Sequence, residues 1–240
     1  MTDQRIVNLR QRLAEVGNAD DAAQQQAYHK SRFTFYGLKT EARRQILRDI
    51  FAELPAAREE LFPLVSELWR TECYDERMSA LWLLEHGRRL LTPRDLDGLK
   101  AMADACEGWA ELDSLALNVL SPMALNFETA VYAPVRLWGD AECLWTRRAG
   151  ILLHIIPARN QRLITEYAWP TLEERLEETE FFIRKAIGWT LREISKHYPR
   201  EVFGFLKRVG DRAAPLTRRE GARNLPEELR APLMEAGEAE

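Results

Sequence analysis

Apolar residues recur at helical spacing along most of the chain. Bulky apolar side chains that lie three and four residues apart mark one face of an α-helix. Three stretches show this spacing most clearly: residues 46–54, 78–91 and 182–194. No stretch alternates apolar and polar residues for long enough to predict a strand. We therefore predict an all-α fold of roughly a dozen helices joined by short connections.

Helix starts are predicted where a capping residue or a proline stands next to an acidic residue. This signal occurs at Thr40-Glu41, at Thr92-Pro93-Arg94-Asp95 and at Pro170-Thr171-Leu172-Glu173. The tryptophans Trp69, Trp82 and Trp138 fall in apolar stripes and are assigned to the core.

Four of the predicted helices resemble one another. Each has bulky residues early, then one variable polar position, then a small residue and an apolar run. The variable positions are 34, 35 and 37 residues apart, which is the length of a two-helix repeat. They are Ser79, Asp113, Arg148 and Lys185. Stacked repeats form a curved solenoid, so these positions are expected in one row, used either as a binding surface or as a ladder of salt bridges between repeats.

Composition limits the class of protein. The chain has 240 residues, 46% hydrophobic and 30% charged, which is enough apolar material for one sizeable domain or two small ones. We assign residues 1–230 to a single domain of two-helix repeats and expect an acidic, frayed tail over 231–240. No apolar run is long enough to span a membrane, and the first residues lack a secretion signal. The cysteines Cys73, Cys106 and Cys143 are odd in number and far apart, so we expect reduced thiols and a cytoplasmic protein.

The net charge of −4 does not by itself favour nucleic acid, but the charges are unevenly spread. Residues 30–48 hold six cations and one acid, residues 144–165 four arginines and no acid, and residues 200–223 seven cations and three acids. These segments form a basic surface if they converge in space. The alternative is that each is an ordinary solvated helix face.

Two helical stripes place aromatic rings beside charges. Trp109 and Asp113 are one turn apart on one helix face, and Lys185, Trp189 and Arg192 form a similar stripe. Cations neutralise phosphates. A carboxylate in a groove that binds phosphates repels the ligand, and it becomes useful only if positive charge develops on the ligand during the reaction. The two stripes together therefore suit cleavage of a glycosidic bond through an oxocarbenium-like sugar, in a groove that both border.

The same stripes carry a family resemblance. The chain resembles the DNA alkylation repair proteins, which are alkylpurine DNA glycosylases of the AlkD type with HEAT-like repeats, from about Tyr28 to Arg223. The resemblance rests on Trp109-Ala-Glu-Leu-Asp113-Ser114, on Leu144-Trp-Thr-Arg-Arg148-Ala149, and most specifically on Phe181-Phe-Ile-Arg-Lys-Ala-Ile-Gly-Trp-Thr-Leu-Arg-Glu193. It implies a curved right-handed solenoid of HEAT-like two-helix repeats with a concave basic groove.

The resemblance also implies a function. It indicates a monofunctional glycosylase that removes N3- or N7-alkylated purines from double-stranded DNA without flipping the base. Asp113 would be the catalytic carboxylate, Trp109 and Trp189 would contact the sugar-phosphate backbone, and Arg148 would grip the adjacent phosphate. Further DNA contacts would come from Tyr28, Lys39, Arg147, Lys185 and Arg192. We expect a monomer with no metal and no nucleotide cofactor.

Some positions depart from the family pattern. Ala110 stands where an acidic residue is common, Gly108 where a bulky residue is frequent, and Lys39 where an uncharged polar residue can occur. Asp113 is retained, and it separates a glycosylase from the main alternative, a non-catalytic repeat protein that binds bent or branched DNA. A protein-binding scaffold is a third hypothesis. His29 is expected at the surface.

Overall fold

The computed structural model describes residues 2–235, and these residues are mainly helical. The α-helices among them are α1 Gln4–Val16, α2 Ala19–His29, α3 Thr40–Ile50, α4 Arg58–Trp69, α5 Tyr74–His86, α6 Leu96–Asp104, α7 Trp109–Leu115, α8 Ser121–Phe127, α9 Thr129–Arg136, α10 Leu144–Leu152, α11 Ile155–Arg159, α12 Thr165–Glu173, α13 Phe181–Ile194, α14 Pro199–Val209, α15 Pro215–Ala222 and α16 Glu227–Glu235. Residues 2–235 contain no strand beyond an isolated bridge from Thr34 to Cys73. The prediction of an all-α fold is confirmed.

The chain divides into two compact units. One consists of residues up to Leu91 together with Cys106–Ser114, and the other of Thr92–Ala105 together with the residues from Leu115 onward. The boundary near Ser114 falls inside α7, just before the π-helical turn Ala116–Leu120. That residues 1–230 act as one domain stays a prediction. Of the proposed tail, residues 231–235 belong to α16 and the last five lie outside the described residues.

Inside both units, residues about one repeat length apart in the sequence bond to each other. In the first unit Arg43 bonds Asp75, 32 residues away, and Arg77 bonds Glu111, 34 residues away. In the second unit Lys185 bonds Glu220 at a separation of 35 residues. Such regular spacing is expected when equivalent positions of successive repeats lie side by side. The helical-repeat fold is thus confirmed, while the handedness and the concave groove stay predictions.

The apolar stripes form the core as predicted. Trp69, Trp82 and Trp138 are 8%, 7% and 5% exposed, so their assignment to packing is confirmed. Helix α5 is covered on nearly every side and buries charged residues as well as leucines. A buried charge is tolerated only when it is paired. On α5, Asp75 pairs with Arg43 and Arg77 pairs with Glu111.

Two of the three predicted helix starts are correct. Helix α3 begins at Thr40, and the main-chain N–H of Thr92 donates to the Asp95 carboxylate at 2.8 Å in a capping box. The prediction at Pro170 is wrong, because Pro170 lies inside α12. That helix starts earlier because Ala168 and Leu172 share its buried face.

The second unit contains a fully buried imidazole. His154 is 1% exposed and stacks on Tyr132 with ring centroids 5.3 Å apart. Burial lowers the pKa of His154 from 6.5 to about 3. Its neutral form is therefore favoured by the fold, and stability present above the unfolded-state pKa is lost as the pH falls from about 6.5 toward 3.

We predict that His154→Phe removes this pH dependence. Between pH 7 and pH 5 the wild-type protein should lose about 2 kcal/mol of unfolding free energy through this histidine, because only the unfolded state takes up the proton. Urea unfolding at both pH values measures the loss. His154→Phe should lose correspondingly less, and exposed His197→Asn is the control. Equal pH dependence in wild type and His154→Phe would contradict the assignment.

Candidate DNA-binding and catalytic residues

In the first unit, Trp109 begins α7 and lies within an aromatic cluster. Its indole is 36% exposed and meets the ring of Tyr28 edge-on, with centroids 6.2 Å apart. Tyr28 is 71% exposed, in the last turn of α2. The structure thus brings together two of the residues that the sequence assigned to DNA contact. Both present ring surface to solvent, as contact with a sugar or base requires.

His29 holds the cluster together. Its imidazole lies 5.6 Å from Trp109, 5.7 Å from Phe35 and 4.9 Å from Tyr74, measured between ring centroids. Burial, with a smaller contribution from the nearby Arg43 guanidinium, lowers the pKa of His29. His29 was expected at the surface, and its ring is half-buried within this cluster. Its neighbours come from separate segments, which a reading along the chain does not show.

Asp113 is half-buried, one turn after Trp109 on α7. It is therefore neither sealed in the core nor fully solvated. A half-buried carboxylate has a reduced water shell, so its field is stronger than at an open surface. This position is compatible with the catalytic role that the resemblance implies, which stays a prediction.

Glu111, between these two residues, fixes the start of α7. It is 2% exposed, and its two carboxylate oxygens accept from Arg77 Nε at 2.6 Å and from the main-chain N–H of Glu107 at 2.8 Å. Arg77 also donates to the Trp69 carbonyl at 2.8 Å and lies over the Trp69 ring at 3.7 Å. The ion pair of Arg77 with Glu111 was not predicted from the sequence, although the separation of 34 residues, one repeat length, was an available signal.

Lys39 is exposed immediately before α3. Arg43, in the same basic segment, is instead buried and bonds Asp75 at 2.7 Å. The segment therefore contributes fewer accessible cations than its local charge of +5 suggests. Lys39 keeps its predicted place at the surface, and its contact with DNA stays a prediction.

In the second unit, the predicted stripe on α13 is present and one carboxylate bridges it. Lys185 Nζ lies 2.8 Å from Glu220 Oε1, and Arg192 Nη1 lies 2.5 Å from Glu220 Oε2. Trp189 is half-buried on the same helix. The hydrogen bond from Lys185, aided by the charges of Arg192 and Arg223, lowers the pKa of Glu220. Glu220 was given no role from the sequence.

Arg147 and Arg148 on α10 are engaged with the protein. Arg147 Nε lies 2.9 Å from a carboxylate oxygen of Glu178, and its side chain is 14% exposed. Arg148 is 3% exposed and donates to the Phe182 carbonyl at 2.6 Å. Ser79 is also fully buried, with its hydroxyl bonded to the Asp75 carbonyl. The row of variable positions is consequently not one continuous exposed surface, and phosphate contact by these arginines stays a prediction.

The basic segment of residues 144–165 is balanced by acids from elsewhere. Besides Arg147 and Arg148, Arg159 pairs with Glu193 at 2.8 Å and Arg162 pairs with Glu128 at 3.0 Å. All four arginines therefore have an acceptor within the protein. The local charge count therefore leaves out carboxylates about one repeat away, and whether the basic segments converge on one surface stays a prediction.

No group of three or more potential metal ligands occurs in residues 2–235. Across the same residues, no helix is both long and apolar enough to cross a bilayer.

Three solved structures superpose on this chain and have a similar fold. A protein described as a predicted DNA alkylation repair enzyme from Enterococcus faecalis superposes with a TM-score of 0.79 at 23% identity, covering 88% of this chain and 97% of that one. The structure of AlkD2 from Streptococcus mutans superposes with a TM-score of 0.60 at 18% identity, covering 78% and 91% of the two chains. Smu.31 from Streptococcus mutans UA159 has a TM-score of 0.58 at 19% identity, covering 78% and 92%.

No curated protein matches the chain. The sequence pattern of the DNA alkylation repair enzyme family matches residues 9–225, which is most of the chain. This match covers the Trp109–Asp113 segment, the α13 stripe and Glu220. The chain belongs to the family of DNA alkylation repair enzymes.

Proposed function

We propose that this chain is a monofunctional DNA glycosylase that excises cationic N3- or N7-alkylated purines from duplex DNA. The observation that carries the proposal is the position of Asp113, half-buried on α7 one turn from an exposed tryptophan. Membership of the DNA alkylation repair enzyme family supports it.

The proposed reaction is hydrolysis of the N-glycosidic bond. Alkylation at N3 or N7 puts positive charge on the purine, so the base leaves with the bonding electron pair as a neutral molecule. The deoxyribose is left as an oxocarbenium-like cation, which water attacks at C1′ and which then loses a proton to solvent. Asp113 stabilises this cation, because its negative charge is in place before the bond breaks.

The aromatic residues support the same chemistry. Trp109 presents an exposed indole ring whose negative face attracts a cationic sugar and packs on its carbon atoms. Trp189, in the second unit, contacts the sugar-phosphate backbone of the DNA in this proposal. Tyr28 adds an exposed ring next to Trp109. Since these rings sit at helix surfaces, the lesion is recognised through its backbone, which agrees with excision without base flipping.

Cations in both units bind the phosphates of double-stranded DNA in this proposal. Lys39 is exposed in the first unit, and Lys185 and Arg192 are partly exposed in the second. Arg147 and Arg148 reach phosphate in this scheme only by exchanging their present acceptors. Gly108, next to Trp109, has open space where a larger side chain would stand, and together with Ala110 it leaves room for a shifted substrate preference.

A single-lesion duplex tests the proposal. We expect the wild-type protein to release free 7-methylguanine from the duplex, leaving one abasic site per lesion that alkali converts to a strand break. Chromatography of the released base and gel analysis of the alkali-treated strand measure both products. Salt-sensitive DNA binding with base release no faster than in protein-free duplex would contradict the glycosylase and favour a non-catalytic DNA-binding protein.

A further inference from the structure

The carboxylate of Glu220 occupies both cations of the α13 stripe at once. One oxygen lies 2.8 Å from Lys185 Nζ and the other lies 2.5 Å from Arg192 Nη1. The two oxygens of this carboxylate each face a different cation. The two unbridged oxygens on the phosphorus atom of a DNA phosphate would offer the same arrangement. Glu220 therefore lies where a phosphate that contacted both side chains would place its two oxygens.

Helix α13, which carries the two cations, and helix α15, which carries Glu220, do not need these ion pairs to stay together. A Cβ atom added at Gly188 of α13 would lie 2.6 Å from Cβ of Glu220, so the backbones approach closely there. A Cβ added at Gly221 of α15 would lie 3.0 Å from Leu191 Cβ, and Thr217 Oγ1 donates to the Arg184 carbonyl at 3.1 Å. Close packing and a separate hydrogen bond join α13 to α15, which leaves the ion pairs free to exchange.

The exposure of the three side chains also favours exchange of these ion pairs for contacts with phosphate. The side chains of Lys185 and Arg192 are 38% and 21% exposed, whereas that of Glu220 is 12% exposed. An incoming phosphate therefore meets the cations first, with the carboxylate behind them. Both cations also belong to flexible side chains that can turn from one anion to another.

We propose that Glu220 competes with DNA phosphate for Lys185 and Arg192. Its ion pairs with these two cations must break before the cations engage the duplex. This inference rests on the proposed function, since it needs the α13 stripe to bind DNA. Its consequence concerns undamaged DNA: the competition lowers the affinity for ordinary duplex, so that the protein is not held on the large excess of unmodified sites.

Glu220→Gln tests the competition, with Glu173→Gln as the matched control. Glu173 also bridges two cations, Arg208 at 2.6 Å and Arg212 at 3.0 Å, and its loss changes the net charge equally. We expect Glu220→Gln to bind an undamaged duplex on the order of tenfold more tightly at about 50 mM salt, and Glu173→Gln to bind like wild type. The plot of log Kd against log salt should steepen by about one for Glu220→Gln, because no displaced carboxylate takes up a cation.

Fluorescence anisotropy with a labelled duplex gives these values, and thermal melting shows whether each variant is folded. Glu220→Ala is measured in parallel and should bind as tightly as Glu220→Gln. Unchanged or weaker binding by the folded Glu220 variants overturns the inference, as does an equal gain in Glu173→Gln. Base release is scored separately: tighter binding without any release of 7-methylguanine refutes only the glycosylase, and normal release with unchanged Glu220→Gln binding refutes only the competition.

Discussion

Replacing Asp113 by asparagine is expected to slow release of 7-methylguanine by about 100- to 1,000-fold under single-turnover conditions, as for loss of one preorganised electrostatic group. Asparagine has nearly the same shape but no charge, so it loses the attraction to the cationic sugar while keeping the fold. Binding to the damaged duplex should not weaken, because the sugar is uncharged before the bond breaks and loss of the carboxylate removes its repulsion of the phosphates. Single-turnover rates at saturating protein separate this loss of rate from a loss of affinity.

The control for this substitution is Asp97→Asn, an exposed acid on α6 whose loss changes the net charge by the same amount. It should release base at the wild-type rate. If Asp113→Asn, with an unaltered melting temperature, also releases base at the wild-type rate, Asp113 has no part in the chemistry.

The second large effect concerns stability and the start of α7. Glu111→Gln should lower the free energy of unfolding by about 3–5 kcal/mol, because it leaves the Arg77 charge buried without its partner. Arg77 and Glu111 side chains are only 6% and 3% exposed, so water cannot replace the lost interaction. Urea unfolding monitored by circular dichroism measures the change.

Two further variants make this prediction specific. Glu41→Gln breaks the pair with Arg48, whose side chains are 74% and 46% exposed, and should leave the free energy of unfolding close to that of wild type. The double variant Arg77→Met with Glu111→Leu removes both charges and should be more stable than Glu111→Gln alone. A loss for Glu111→Gln no larger than that for Glu41→Gln would show that the buried pair does not hold α7.

The helices were predictable because apolar periodicity follows directly from burial of one helix face. The stripe of Ile183, Ala186, Ile187 and Leu191 is fully buried, as its spacing predicted. The repeat was predictable for the same reason, since successive helices must present equivalent faces to one another. What periodicity does not contain is the partner of each charge.

The arginines of α10 and its neighbours illustrate this limit. Residues 144–165 carry cations alone, yet Arg159 and Arg162 find carboxylates 34 residues away in each case. The same limit applies to acids: residues 173–180 contain five glutamates, and two of them, Glu173 and Glu178, pair with arginines of other helices. Charge counted along the sequence therefore overstated the basic surface.

The candidate site was predictable as residues and not as an arrangement. Helical spacing placed Trp109 with Asp113 and Lys185 with Arg192, and each pair lies on one helix. The groups that fix them come from other segments: His29 beside Trp109, Arg77 behind Glu111, and Glu220 across the α13 stripe. Three-dimensional packing supplies these neighbours, so a single sequence carries only the repeat distance as a hint.

The central claim is that Asp113 recognises positive charge on the sugar, and a pair of modified duplexes tests it most directly. One contains a pyrrolidine in place of the deoxyribose ring, which is cationic at neutral pH, and the other contains the neutral tetrahydrofuran of the same shape. We predict that the wild-type protein binds the cationic duplex at least about tenfold more tightly, and that Asp113→Asn loses most of this preference and keeps only the small part due to the indole rings. Equal wild-type affinity for the two duplexes, or an undiminished preference in Asp113→Asn, would contradict the account.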